Sequence, residues 1–360
     1  MVNKASIQPV KLTGWNFHYW LLLSLFFPFI MSTALAYEAD ANENSSISSP
    51  SISSRIQANS EHTNEQLIEE LLNKFVRNGS RQLYDGSFIY MFEDSLQTIK
   101  IKRAINTQGE VVEEFIPQDN NQKQSTRRLV NDYCILDNGW HYQFQAVSSS
   151  FPFRVNNYYL DLKKNYEFIL TEPRIIAGYP AMGLSIKAKD SYRYSYKVWF
   201  EPDTATLLRY KLIAPNGKVV EQYLFTDITF YNNENSSIAV DAAKEIKTCL
   251  AEFQELSSAF EQYFSLNQIP KGYEPVSFRQ GIINEGSRQA YQFQLSDGFA
   301  SVSIFIEETG QTKRPVNGVV KLGPVNVAGK TLADQQITVL GAIPVVSALR
   351  FLKAAKEPVK

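Results

Sequence analysis

Residues 192–230 read YRYSYKVWFEPDTATLLRYKLIAPNGKVVEQYLFTDITF. Tyr192 to Phe200 predicts a strand, Glu201-Pro202-Asp203 a turn, and Thr206 to Ile213 a second strand. Pro215-Asn216-Gly217 turns the chain again, and Val219 to Phe230 makes a third. Short turns between successive strands make antiparallel neighbours. Working upstream, Phe88, Tyr90 and Phe92 alternate before a turn near Glu93-Asp94, and Ile99 and Ile101 alternate on the return, which predicts a hairpin. Shorter strands are expected at Val111–Ile116, Arg127–Leu136 and Trp140–Val147, with Asn138-Gly139 as a tight turn. A sheet of roughly nine or more strands tends to curl or close. Ahead of it, Thr63 and Gln66 form a capping box. Leu67, Leu71 and Phe75, flanked by Ile68 and Leu72, give one apolar helical stripe that Asn78-Gly79 ends.

Downstream, residues 231–243 read as a polar linker, and a helix is expected over Lys244–Phe260. A smaller β-rich unit follows. Its clearest hairpin is Gln289–Leu295, the turn Ser296-Asp297-Gly298, and Phe299–Glu307. A strand at Gln335–Leu340 precedes a last helix that Pro344 opens at its first turn. The expected fold is α+β, mainly β: a large antiparallel half-open barrel packed with helices, then a smaller β-rich domain. Boundaries are set at 61–230 for the large domain, 231–262 for the linker and helix, and 263–356 for the smaller domain.

The N-terminus carries Lys4 and Lys11, an apolar run from Tyr19 to Ile30, and then Ala34-Leu35-Ala36. The run is too short for a span of about 20 apolar residues. It reads as a signal peptide over 1–36, cleaved after Ala36, so the expected compartment is the periplasm. No cysteine lies near that site, so the chain is not itself a lipoprotein. Residues 37–60 are Ser/Asn-rich and read as a disordered leader. Beyond Ala36 the charges are 34 basic against 37 acidic, without the basic excess of a nucleic-acid binder.

Catalytic constellations are missing. Two histidines follow the signal region, His62 and His141, and neither has a second histidine or cysteine at ligand spacing. There is no CxxC, GxSxG, HExxH or Gly-rich phosphate loop. The expectation is no enzyme, no catalytic residue, no metal and no cofactor. Cys134 and Cys249 are expected to be separate thiols rather than a bridge.

Aromatic residues are abundant, with 19 Tyr and 23 Phe. Taken singly, each ring is simplest as core. Taken together, they exceed what one small sheet–helix interface uses, and a curved sheet closing on a helix can leave an apolar cavity. One long acyl chain brings on the order of 10 kcal/mol of transfer energy to such a cavity. The candidates for lining it are Phe88, Tyr90, Ile101, Trp140, Phe144, Trp199 and Leu224. Arg193, Lys197, Arg209 and Lys211 read as a solvated face; the functional alternative is a rim for anionic headgroups or an acidic peptide.

Residues 192–230 also resemble the end of the N-terminal domain of the RseB/MucB family. YDGSFIYMFEDSLQTIKIKR and RIIAGYPAMGLSIKAKDSYRY upstream are similar to the same family. So are IPKGYEPVSF, YQFQLSDGFASVSIFIEE and GPVNVAGKTLADQQITVLGAIPVVSALRFL downstream. The likeness runs from about Leu67 to Leu352, with Phe264 standing where the family pattern carries Trp. It implies an N-terminal domain like the lipoprotein carriers LolA and LolB, and a periplasmic regulator of an envelope-stress sigma factor. Such a regulator binds the periplasmic part of an RseA/MucA-like anti-sigma factor, shields it from proteolysis and releases it on meeting mislocalised lipoprotein or lipopolysaccharide. For the partner site the candidates are Arg288, Phe299, Ser301 and Ser303, with the partner adding a strand beside Phe299–Glu307. A lipid or lipoprotein carrier without regulatory role is the alternative. The sequence is compatible with a homo-oligomer and gives no sign of a nucleic-acid partner.

Overall fold

The structure is a computed structural model. It describes residues 64–78, 82–105, 109, 111–118, 126–129, 132–137, 140–145, 148–149, 154–155, 159–231, 256–283, 288–309 and 315–356. All of them fall in one compact unit, Ile52–Lys360. The signal and leader segments, the linker and Cys249 lie outside the described residues, as do the side chains of Cys134 and His141.

The first helix, α1 (Asn64–Asn78), buries Ile68, Leu71, Leu72 and Phe75, one face of a 3.6-residue repeat. The strands that follow are β1 (Leu83–Phe92), β2 (Ser95–Ile105), β3 (Val111–Pro117), β4 (Thr126–Leu129), β5 (Asp132–Asp137), β6 (Trp140–Gln145), β7 (Ser148–Ser149) and β8 (Arg154–Val155). After helix α2 (Tyr159–Asn165) come β9 (Tyr166–Ile176), β10 (Tyr179–Ala188), β11 (Ser195–Phe200), β12 (Leu207–Ile213) and β13 (Val219–Tyr231). Nine of these make one antiparallel sheet in the order β4-β3-β2-β1-β13-β12-β11-β10-β9. Its two end strands are not paired with each other, so the sheet is a half-open barrel, as expected.

Helix α3 (Leu256–Tyr263) leads into the smaller sheet of β14 (Glu274–Ile283), β15 (Arg288–Ser296), β16 (Ser301–Glu308), β17 (Gly318–Leu322), β18 (Val325–Leu332) and β19 (Gln335–Gly341). The order is β14-β15-β16-β19-β18-β17. Helix α4 (Val345–Ala354) closes the chain and buries Ala348, Phe351 and Leu352. Phe264 is fully buried, its ring stacked 4.8 Å from Phe260.

Several expectations shift. The strand expected from Tyr192 begins at Ser195, because Asp190 accepts the Tyr192 amide at 2.9 Å and bends the chain. The expected strand Arg127–Leu136 is split into β4 and β5. Pro344 sits just ahead of α4 rather than in its first turn. Phe299 belongs to the turn before β16, not to the strand.

Candidate functional site

Alternation decides which rings meet. Along β1, Tyr84, Phe88 and Tyr90 are buried while Ser87, Ile89 and Met91 are only half-buried. The inner side chains of neighbouring strands follow by register: Ile99 and Ile101 on β2, Tyr223 and Phe225 on β13, and Tyr210 and Leu212 on β12. Val198 and Phe200 of β11 join them, and Phe75 of α1 covers Phe200 at 5.0 Å between ring centroids. An unbroken row of rings crosses this face. Tyr166, Tyr196, Tyr210, Tyr223 and Phe88 follow one another with centroids 5.4–6.1 Å apart. Such spacing is favourable for aromatic pairs.

The interior also holds charge. Arg103 and Glu113, both almost fully buried, form a salt bridge, with Arg103 Nε donating to Glu113 Oε1 at 2.9 Å. Glu221 lies between Tyr90, whose hydroxyl donates to it at 2.5 Å, and Tyr210. Burial pushes its carboxyl up to about 7, although both hydroxyls pull the other way.

The turn between β15 and β16 inserts into the end of the ring row. Phe299 packs on Tyr166 at 5.0 Å, Tyr196 at 5.4 Å and Phe168 at 6.2 Å, and so belongs to the core of the larger sheet. Beside it Asp297, 1% exposed, accepts the Tyr166 hydroxyl at 2.8 Å and the amides of Phe299 and Ala300 at 3.0 and 2.8 Å. Arg193, also 1% exposed, stands 3.0 Å away through Nε, a charge contact without hydrogen-bond alignment. The guanidinium faces the ring of Tyr273 at 5.3 Å and donates to the Lys271 carbonyl. Burial raises the Asp297 carboxyl, while Arg193, Tyr166 and the two amides oppose it. Asn326 donates to the Tyr194 hydroxyl at 3.1 Å, and the Ser347 hydroxyl to the Tyr192 carbonyl. Gly272, at φ +84°, lies so close to Asn165 that a Cβ there would meet its amide group at 2.3–2.4 Å. The two sheets are therefore locked by Tyr192–Tyr196 on one side and Lys271–Tyr273, Asp297, Phe299, Asn326 and Ser347 on the other.

This geometry sorts the candidates. Phe88, Tyr90 and Ile101 share the inner face. Trp199 and Leu224 lie on the opposite face, in register with Arg209. Trp199 fills a notch above Gly183, where a Cβ would meet its Nε1 at 2.7 Å. The side chains of Trp140, Phe144 and Arg288 lie outside the described residues, though β6 pairs with β5 rather than with the large sheet. Phe299 is 6% exposed and held by the other sheet, so it offers no free surface in this state. Ser301 and Ser303 are half-buried on β16, which sits between β15 and β19. No edge is free there, so strand addition beside Phe299–Glu307 is excluded; among the described residues the edge strands of this sheet are β14 and β17. Arg193 is buried rather than solvated, while Lys197 is exposed and Arg209 and Lys211 are half-buried. Sequence reasoning misses Tyr166 and Asp297 and places Arg193, their buried partner, at the surface. Their pairing spans about a hundred residues, and no local pattern signals it.

Among the described residues, no three His, Cys, Asp or Glu side chains converge as a metal site, and no helix is long and apolar enough to cross a membrane.

The MucB/RseB N-terminal domain matches residues 68–246, and the MucB/RseB C-terminal domain matches 258–356. The sigma-E factor regulatory protein RseB of Haemophilus influenzae is 21% identical over 277 residues, covering 76% of this chain and 86% of its own. The sigma factor AlgU regulatory protein MucB of Pseudomonas aeruginosa is 24% identical over 307 residues, 78% of this chain and 87% of its own. The solved structure of MucB in complex with MucA(peri) superposes with a TM-score of 0.58 at 20% identity, covering 81% of this chain and 99% of that one. A second, the Pseudomonas aeruginosa MucA/MucB complex, gives 0.60 at 21% identity with the same coverage. These structures share the fold described above. With both of its domains matched in order over most of its length, the chain belongs to the MucB/RseB family.

Proposed function

We propose that this protein is a periplasmic negative regulator of an envelope-stress (sigma-E/AlgU-type) response, acting by stoichiometric binding and not as an enzyme. It holds the periplasmic domain of an RseA/MucA-like anti-sigma factor, shields it from proteolysis, and senses mislocalised lipoprotein or lipopolysaccharide through the aromatic interior of the half-open barrel. The observation that carries this reading is the pairing of both family domains in one chain: a carrier needs only the barrel. Relatives named as sigma-factor regulators, and a relative solved with MucA, support the partner class.

Two features of the fold shape the mechanism. Phe88, Tyr90 and Ile101 are buried in the interior, and an acyl chain entering beside them competes with that packing. Phe299 is the group best placed to yield, since it comes from the other sheet. An acyl chain that replaces it gains about 0.8 kcal/mol per buried CH₂ and loosens the domain contact at the same stroke. The anti-sigma segment, if extended, has the edges of β14 or β17 to pair with.

The shielding step is checked by cleavage. A stoichiometric amount of this protein is expected to slow digestion of the host's RseA/MucA-type periplasmic segment by its initiating protease at least tenfold. An unchanged cleavage rate at saturating protein would remove the regulatory reading and leave a carrier.

A further inference from the structure

The outer face of the large sheet, turned away from α1, carries a pattern the regulatory reading does not use. Two adjacent rows cross seven strands from β9 to β2. One runs Thr171, Gly183, Trp199, Arg209, Leu224, Ile89 and Thr98. The next runs Ile169, Ser185, Lys197, Lys211, Gln222, Met91 and Leu96. Neither row contains an acidic residue. Elsewhere on this sheet cations face acids in register: Lys187 opposes Glu167, and Lys102 lies between Asp85 and Glu114. Here Lys197 instead stands directly opposite Lys211, an arrangement that costs stability in a sheet.

The cations are gathered around one ring. Arg209 and Arg174 lie over Trp199 at 5.1 and 5.9 Å from its centroid, which fixes two guanidiniums beside the lysine pair. Burial first, then Arg209, Lys197 and Arg174, lower the Lys211 pKa. Glu172, which follows Thr171, sits in the β9 bulge at the margin of the rows, and Glu221, which precedes Gln222, is buried on the inner face. Large aliphatic side chains end the patch: Ile169 is 44% exposed at one side and Leu96 59% at the other. Six strand spacings separate β9 from β2 in the pairing order, roughly 29 Å.

We propose that this outer face docks on an anionic phospholipid surface. A basic field bordered by exposed aliphatics suits a bilayer, which presents repeating phosphates above an apolar layer. An acidic peptide fits less well. The patch lies within the sheet, where backbone groups are already paired and no groove holds an extended chain. The surface is separate from the inner-face lipid site, so the two stand or fall independently.

Vesicle sedimentation of the purified protein tests it. Expected is binding to phosphatidylcholine vesicles containing phosphatidylglycerol, none to phosphatidylcholine alone, and loss of binding at high salt. Lys197→Glu/Lys211→Glu should weaken binding at least about tenfold, since each charge near such a surface is worth roughly fivefold. Lys197→Gln/Lys211→Gln gives a milder loss and guards against misfolding of the first variant. Lys353→Glu/Lys356→Glu, both exposed and in the smaller domain, should bind normally. Equal loss in that control, equal binding to neutral vesicles, or capture of poly-glutamate with anionic vesicles ignored would each overturn the proposal.

Discussion

Asp297→Ala is expected to lower unfolding stability by about 3–5 kcal/mol, the cost of breaking a buried ion pair from one side. The substitution removes the buried carboxylate beside Arg193 and leaves it only Asp190, at 3.0 Å and partly exposed, as an acidic partner. It also strips the acceptor from the Tyr166 hydroxyl and from the amides of Phe299 and Ala300. Those amides hold the turn that carries Phe299, so the ring should leave its slot between Tyr166 and Tyr196. Asp297→Asn keeps an acceptor for the amides and should lose less. Denaturant midpoints measure the effect; a change below about 1 kcal/mol for the alanine variant would mean the domain contact does not depend on this carboxylate.

Glu221→Gln is expected to stabilise the protein above pH 7 and to leave it almost unchanged below pH 5. The carboxyl is raised from an ordinary 4.5 to about 7 by burial. Between those values the folded state keeps a proton that the unfolded chain has released. The contribution to stability is therefore full below 4.5 and is lost as the pH climbs through 7. At pH 8 the charged carboxylate costs about 3 kcal/mol relative to the protonated form. Glutamine keeps a carbonyl acceptor for the Tyr90 and Tyr210 hydroxyls and carries no charge. Thermal melts of both proteins from pH 4.5 to 8.5 should coincide at the acid end and separate by on the order of 5–10 °C at the alkaline end. Parallel curves would show that Glu221 does not titrate in this window.

Much of the fold is legible in the sequence because strands alternate with period two and turns have their own chemistry. Phe88, Tyr90 and Ile101 alternate with polar or smaller neighbours, and the structure puts them on one face. Leu224 could have been placed too: Tyr223 and Phe225 on either side point inward, so Leu224 points out. Trp199 could not, because Val198-Trp199-Phe200 is a continuous apolar run and only the notch at Gly183 shows where the indole goes. Arg193 looks like a surface residue from its neighbours, and its burial is dictated by Asp297, 104 positions further on. Likewise the hairpin around Asp297-Gly298 is plain in sequence, but its destination inside the other sheet is not. From the local pattern β16 reads as an available edge, but its non-local pairing with β19 occupies it. Period and turn chemistry are local; strand order and the meeting of domains are not.

Affinity of the purified protein for the periplasmic segment of its host's RseA/MucA-type anti-sigma factor, titrated with and without an acylated lipopeptide, tests the central claim most directly. The regulatory account predicts tight stoichiometric binding that the lipopeptide weakens. Lipopeptide capture with no binding of the anti-sigma segment would contradict it.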